Sequence, residues 1–198
     1  MLKIGIAGNI GGGKTTVSKI FEILQVPVFY ADDAAKKVMV EDQILIDELK
    51  TAFGTEAYFS DGELNRKHIA DIVFNNEIQL NKLNAIVHPA VFRAFDEWAA
   101  TIKNAPYAIK EAALLFESSS YKMCDYSIMV TAPLELRIRR VMARNGLTRQ
   151  EIESRDARQF SEEKKTELAD YVIRNDDTEL VIPQVLELHR QFLDLANK

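Results

Sequence analysis

Gly8-Asn9-Ile10-Gly11-Gly12-Gly13-Lys14-Thr15 follows directly on the apolar run Leu2 to Ala7 and meets the pattern G-x-x-x-x-G-K-[S/T] at every fixed position. Each residue type answers a physical need. Glycines let the backbone curl so that successive amides, here Gly11 to Thr16, point inward at phosphate oxygens, and a helix starting near Lys14 adds the partial positive charge of its N-terminus. Lys14 can reach the β- and γ-phosphates, and the Thr15 hydroxyl suits Mg²⁺. The stretch therefore reads as strand, phosphate loop and helix, a site for a purine nucleoside triphosphate. Taken alone, it leaves hydrolysis, switching and transfer all open.

Working outward, apolar strand candidates alternate with amphipathic helices, the pattern of an α/β fold with a parallel sheet. The strands are predicted at Leu2–Ala7, Val26–Tyr30, Tyr107–Ala112, Tyr126–Thr131 and Tyr171–Arg174. Helices are predicted at Lys14–Leu24, Ala34–Val40, Gln43–Phe53, Arg66–Asn75, Glu77–Ile102, Leu134–Asn145, from Thr148 onward, and at Glu179–Leu195. Pro89 is expected to kink or restart its helix. Thr148-x-x-Glu151 has the spacing of a capping box, and Gly146 should end the helix before it. The mostly helical excursion 34–102 is longer than a crossover between two strands requires. Such an excursion is expected to lie over the carboxyl ends of the strands, where open α/β sheets bind ligands, as an acceptor-binding insertion.

Composition fits this reading. The chain has 198 residues, 47% of them hydrophobic, which suits one globular domain over 1–198. Its lone cysteine, Cys124, excludes an internal disulfide and a cysteine-rich metal site, as expected of a reducing compartment. No apolar run reaches the ~18 residues that cross a bilayer, so the chain reads as soluble, unexported and cytoplasmic. A net charge of −5 argues against binding a nucleic-acid backbone. Yet seven of the eleven arginines fall between Arg137 and Arg158, a local concentration suited to a small polyanion. Oligomeric state has no signal in the sequence.

Other residues then suggest what happens to the phosphate. Asp32 and Asp33 stand just past the second strand, where a carboxylate can take a proton from an attacking hydroxyl; Asp33 also suits capping the next helix. Arg137, Arg140 and Arg144, spaced by three and four, share one helix face, and over a γ-phosphate such a row would act as a lid across 134–160. Pairing with Glu151, Glu153 or Asp156 is the competing reading of these arginines. His88, ahead of Pro89, has no second histidine nearby and so no metal role.

Together and in this order, these pieces resemble the dephospho-coenzyme A kinase family over almost the whole chain. The phosphate loop runs on to Thr16. Tyr30-Ala31-Asp32 resembles a strand end that reads Asp-Ala-Asp in the family, and Ile86-Val87-His88-Pro89 resembles its His-Pro motif. Leu114-Leu115-Phe116-Glu117, Arg140 to Arg144, Gln159 and Ala169 to Asn175 follow in family order. The resemblance implies a three-layer phosphate-loop kinase fold with a five-stranded parallel sheet. It also implies transfer of the γ-phosphoryl of ATP to the ribose 3′-hydroxyl of dephospho-coenzyme A, with Mg²⁺.

By the same resemblance, Lys14, Asp32 and Arg140 would be catalytic. Gly11, Gly12, Gly13, Lys14, Thr15, Thr16, Arg144 and Asn175 would hold ATP. His88 would join Asp32 at the acceptor, together with Arg66 and Arg93, which are chosen on charge. Thr15 and Glu111 would face Mg²⁺. Tyr30, Glu111 and Asn84 depart from the family pattern, where aspartate, aspartate and glutamate are usual.

Overall fold

The computed structural model of the protein describes residues 1–74 and 76–197. These form two compact units, Met1–Tyr30 with Ile102–Lys198, and Ala31–Thr101.

The first unit is built on five parallel strands: β1 (Leu2–Ala7), β2 (Val28–Tyr30), β3 (Tyr107–Glu111), β4 (Tyr126–Thr131) and β5 (Tyr171–Arg174). Their order is β2-β3-β1-β4-β5, so the strand that leads into the glycine loop is the central one. Register brings Ile6 opposite Glu111 on one side and Ile128 on the other, while Tyr30 pairs with Glu111 across β2 and β3. Every residue of β3 is buried, the charged Lys110 and Glu111 at its carboxyl end included. β2 is two residues shorter at its start than predicted, because Val26 and Pro27 lead in from the preceding turn and Pro27 contributes only its carbonyl, to the Ile109 amide.

Helices α1 (Lys14–Ile23) and α9 (Val181–Ala196) cover one face of this sheet, where Ile4, Ile6, Phe21, Tyr107, Ile109, Ile128, Val130, Ile173 and Phe192 form the core. Segment 113–124 lies against the other face; a Cβ on Gly5 would meet Leu115 at 2.7 Å and Cys124 at 3.2 Å. The result is the three-layer α/β arrangement anticipated above. Helix α6 (Leu134–Asn145) ends at Gly146, whose φ of 66° is the left-handed stop that glycine accepts. Helix α7 (Arg149–Asp156) begins with a complete capping box between Thr148 and Glu151. Helix α8 (Glu162–Leu168), capped by Ser161, was not predicted, since its seven residues are too few to establish a period.

The second unit is helical: α2 (Ala31–Glu41), α3 (Gln43–Phe53), α4 (Arg66–Val73) and α5 (Glu77–Thr101). The predicted end of the fourth helix at Asn75 lies outside the described residues. α2 starts three residues before the predicted Ala34, so Asp32 and Asp33 lie within its first turn, where their charge suits the helix dipole. Of the kink or restart expected at Pro89, the restart does not occur, because α5 runs unbroken from Glu77 to Thr101. Pro89 and Ala85, whose carbonyl loses its partner, are both exposed, so water can serve that carbonyl. Val87, Ala90, Val91 and Phe95 meanwhile bury the opposite side.

Candidate active site

The loop between β1 and α1 is held from inside and outside. Internally, the Gly12 amide donates to the Asn9 carbonyl at 2.9 Å, and Lys14 Nζ donates to the Gly8 carbonyl at 3.0 Å. Gly11 and Gly13 have φ of 78° and 100°, a region that costs other residues strain. Space is equally tight: a Cβ on Gly11 would lie 2.6 Å from the Arg137 carbonyl oxygen, and one on Gly13 would overlap the Asn175 amide. Thr15 and Thr16 stand exposed on the first turn of α1. Thr15 Oγ1 is 3.5 Å from Oε2 of Glu111, a carboxylate only 7% exposed at the end of β3.

Arg137, Arg140 and Arg144, three of the four arginines of α6, do not form one row. Arg137 is 4% exposed and donates to the carbonyls of Ala132 and Ile10 and to Asp156. It is therefore a structural anchor, which corrects its expected place over a phosphate and matches the competing reading of pairing with Asp156. Arg140 donates to the Asn175 carbonyl at 2.8 Å and to Asp177 at 2.7 Å. Arg144 is exposed, with Nε donating to the adjacent Asn145 side chain. Asn175 receives Arg140 and gives its own Nδ2 to the Gly12 carbonyl at 2.9 Å, so it lies against the phosphate loop.

In the helical unit, Asp32 is exposed as the second residue of α2, and Asp33 pairs with Lys36 at 2.6 Å. Arg66 is exposed at the start of α4. His88 is half-buried with its ring stacked on Phe92, the centroids 6.2 Å apart. Arg93 is engaged by Asp42, the cap of α3, at 2.6 Å. Burial pushes the Asp42 carboxyl up, but the Arg93 guanidinium and the Leu45 amide outweigh it and leave the carboxyl below its ordinary range.

Sequence reasoning did not find the buried polar group behind the loop. Asp156 joins Arg137 to Asn9, whose Nδ2 donates to Asp156 at 3.1 Å and to the Phe160 carbonyl at 3.1 Å. Glu117 accepts from the Phe160 amide at 2.8 Å and from Lys165, a fully buried lysine, at 2.9 Å. Burial pushes the Lys165 amine below its ordinary value, and the Glu117 carboxylate pulls it back. Partners 48 residues apart leave no local pattern to read. Cys124 is held up at about 11 by burial, so its thiol stays protonated at neutral pH.

A glycine loop at the carboxyl end of a central parallel strand, running into a helix that begins with lysine and threonine, defines the class: a nucleotide-binding protein of the phosphate-loop fold. The dephospho-CoA kinase family model matches residues 2–180. A curated dephospho-CoA kinase from Bacteroides fragilis is 38% identical over 187 residues, 94% of this chain and 91% of that one. Among solved structures, a Thermus thermophilus protein is 35% identical with a TM-score of 0.84, covering 96% of each chain. A dephospho-CoA kinase from Campylobacter jejuni, 24% identical over 99% of this chain and 98% of its own, has the same fold with a TM-score of 0.68. The chain belongs to the dephospho-CoA kinase family. It is a transferase that uses ATP to phosphorylate dephospho-CoA in coenzyme A biosynthesis. No helix among the described residues is long and apolar enough to cross a membrane.

Proposed function

We propose that the protein moves the γ-phosphoryl of ATP to the ribose 3′-hydroxyl of dephospho-CoA, with residue roles that follow from their surroundings. The amides of Gly11 to Thr16 and the Lys14 ammonium hold the phosphates, Gly12 and Lys14 by giving up their bonds to the carbonyls of Asn9 and Gly8. Asp32, exposed and free of the ion pair that occupies Asp33, orients or deprotonates the 3′-hydroxyl. Arg140 and Arg144 stabilise charge in the transition state, Arg140 exchanging Asp177 for phosphate oxygens. Asn175 keeps the loop in shape and borders the nucleotide. The helical unit is the acceptor-binding insertion, with Arg66 and His88 as contacts; Arg93 can join them only by leaving Asp42.

Thr15 and Glu111 fit Mg²⁺. Both offer hard oxygen donors, and their separation of 3.5 Å suits two groups facing one small cation whose other positions are filled by phosphate and water. Among the described residues no group of three or more His, Cys, Asp or Glu could hold a metal ion. Mg²⁺ there would neutralise charge on the β- and γ-phosphates.

The observation that carries the proposal is the contact between Thr15 and Glu111 beside a complete phosphate loop. Its test is the regiochemistry of transfer. Dephospho-CoA should yield coenzyme A with a 3′-phosphomonoester by phosphorus NMR, and a 3′-deoxy analogue should accept nothing. Phosphorylation of that analogue would move the reaction to another hydroxyl.

A further inference from the structure

The side chain of Gln159 joins the outer side of the phosphate loop to the turn after β3. Gln159 lies in irregular backbone between α7 and α8, half-buried, its own amide bonded to the Asp156 carbonyl. Its Oε1 accepts from the Ile10 amide at 2.9 Å, and its Nε2 donates to the Ala113 carbonyl at 3.2 Å. Ile10 is in the middle of the loop that leads to Lys14 and Thr15. Ala113 is two residues past Glu111.

We propose that Gln159 is a positioning residue for phosphoryl transfer, holding the phosphate loop and the carboxylate of Glu111 in register through its two-ended amide. The reason is mechanical. A loop with glycine at four of six positions is intrinsically loose, and its internal bonds, from the Gly12 amide to Asn9 and from Lys14 to Gly8, leave Ile10 to be held from the outside. Ile10 turns its amide outward to Gln159 and its carbonyl to Arg137. The Ala113 carbonyl is shared with Lys165, which Glu117 fixes in turn. Gln159 is thus the side chain that bonds both segments, and an amide is suited to it, because one end must accept while the other donates. The inference rests on the reading of Lys14, Thr15 and Glu111 as the phosphate and Mg²⁺ site.

Three proteins test it in one assay of coenzyme A formation at saturating ATP and Mg²⁺: wild type, Gln159→Leu and Gln159→Glu. Gln159→Leu removes both bonds at similar volume. It should lower kcat at least ~10-fold while the KM for ATP moves less, because binding contacts from Lys14 and α1 persist but their register with Glu111 is lost. Gln159→Glu adds a signature that lost stability would not give. Its ionised carboxylate can accept from Ile10 but cannot donate to Ala113, whereas the protonated form does both. Its kcat relative to wild type should therefore rise as pH falls and that carboxyl takes up its proton.

A folded Gln159→Leu enzyme with kcat within about 3-fold of wild type would overturn the proposal, since misplacement by a fraction of an ångström should cost more. So would a Gln159→Glu to wild-type ratio that stays flat with pH. If Gln159→Leu fails to fold, the pH ratio of Gln159→Glu alone decides. Lys14→Ala in the same assay separates the two ideas: full activity there would remove the phosphate-site reading, whereas a silent Gln159 series beside an inactive Lys14→Ala would remove only the positioning role.

Discussion

Arg137 donates to Asp156 at 2.5 Å with 5% of its side chain reaching solvent. This pair closes the phosphate loop from behind, because Asp156 also holds Asn9 and Arg137 also holds the Ile10 carbonyl. The consequence is that an arginine from the same helix face as Arg140 serves the shape of the loop, while Arg140 itself keeps 29% of its side chain exposed.

Breaking the buried pair strands a charge. Arg137→Met should lower the unfolding free energy by about 3–5 kcal/mol, as single removals from buried ion pairs do. Arg137→Met with Asp156→Leu should lose less than the two single changes added together. Urea denaturation measures both. A loss below about 1 kcal/mol for the single change would mean that the pair behaves as a solvated surface contact.

Removing the carboxylate of Asp32 should separate binding from chemistry. Asp32→Asn is expected to leave ATP affinity near wild type and to slow transfer at least ~100-fold, the scale of general-base contributions. Lys14→Ala should instead weaken both phosphate binding and transfer. Isothermal titration with a non-hydrolysable ATP analogue, beside single-turnover rates, distinguishes them. Near-normal turnover by Asp32→Asn would remove the base from its role.

At the other end of the sheet, Tyr107 and His189 meet with Oη and Nδ1 2.5 Å apart. Burial holds the His189 imidazole below its ordinary value of 6.5. The unfolded chain therefore takes up this proton before the folded chain does. The contribution is fully present above about pH 6.5 and falls away on acidification from there down to the lower folded value. His189→Gln, which keeps a partner for the Tyr107 hydroxyl, should flatten the loss of stability between about pH 7.5 and about pH 5.5. Parallel curves for the two proteins by urea denaturation would exclude His189 as the source.

The strand pattern was legible because the strands are short and mostly apolar; three of the five, β1, β4 and β5, have the ends read from the sequence. The phosphate loop was legible because its chemistry lies in consecutive residues. What local sequence could not show was how long-range partners divide the arginines. The spacing of Arg137 and Arg140 is a fact of one helix, but Asp156 and Asn175 decide which of them is buried, and those residues arrive from other elements. The restart expected at Pro89 fails for a related reason: the local cost of proline was read correctly, while the apolar face that keeps α5 continuous is a tertiary feature.

The central claim is met most directly by measuring ADP release from ATP and Mg²⁺ with purified protein, comparing no acceptor, dephospho-CoA, AMP, cytidine monophosphate and shikimate. Dephospho-CoA alone should stimulate release strongly, with one coenzyme A formed per ADP. Silence with dephospho-CoA beside turnover of another acceptor would contradict the account while leaving the phosphate loop and the fold in place.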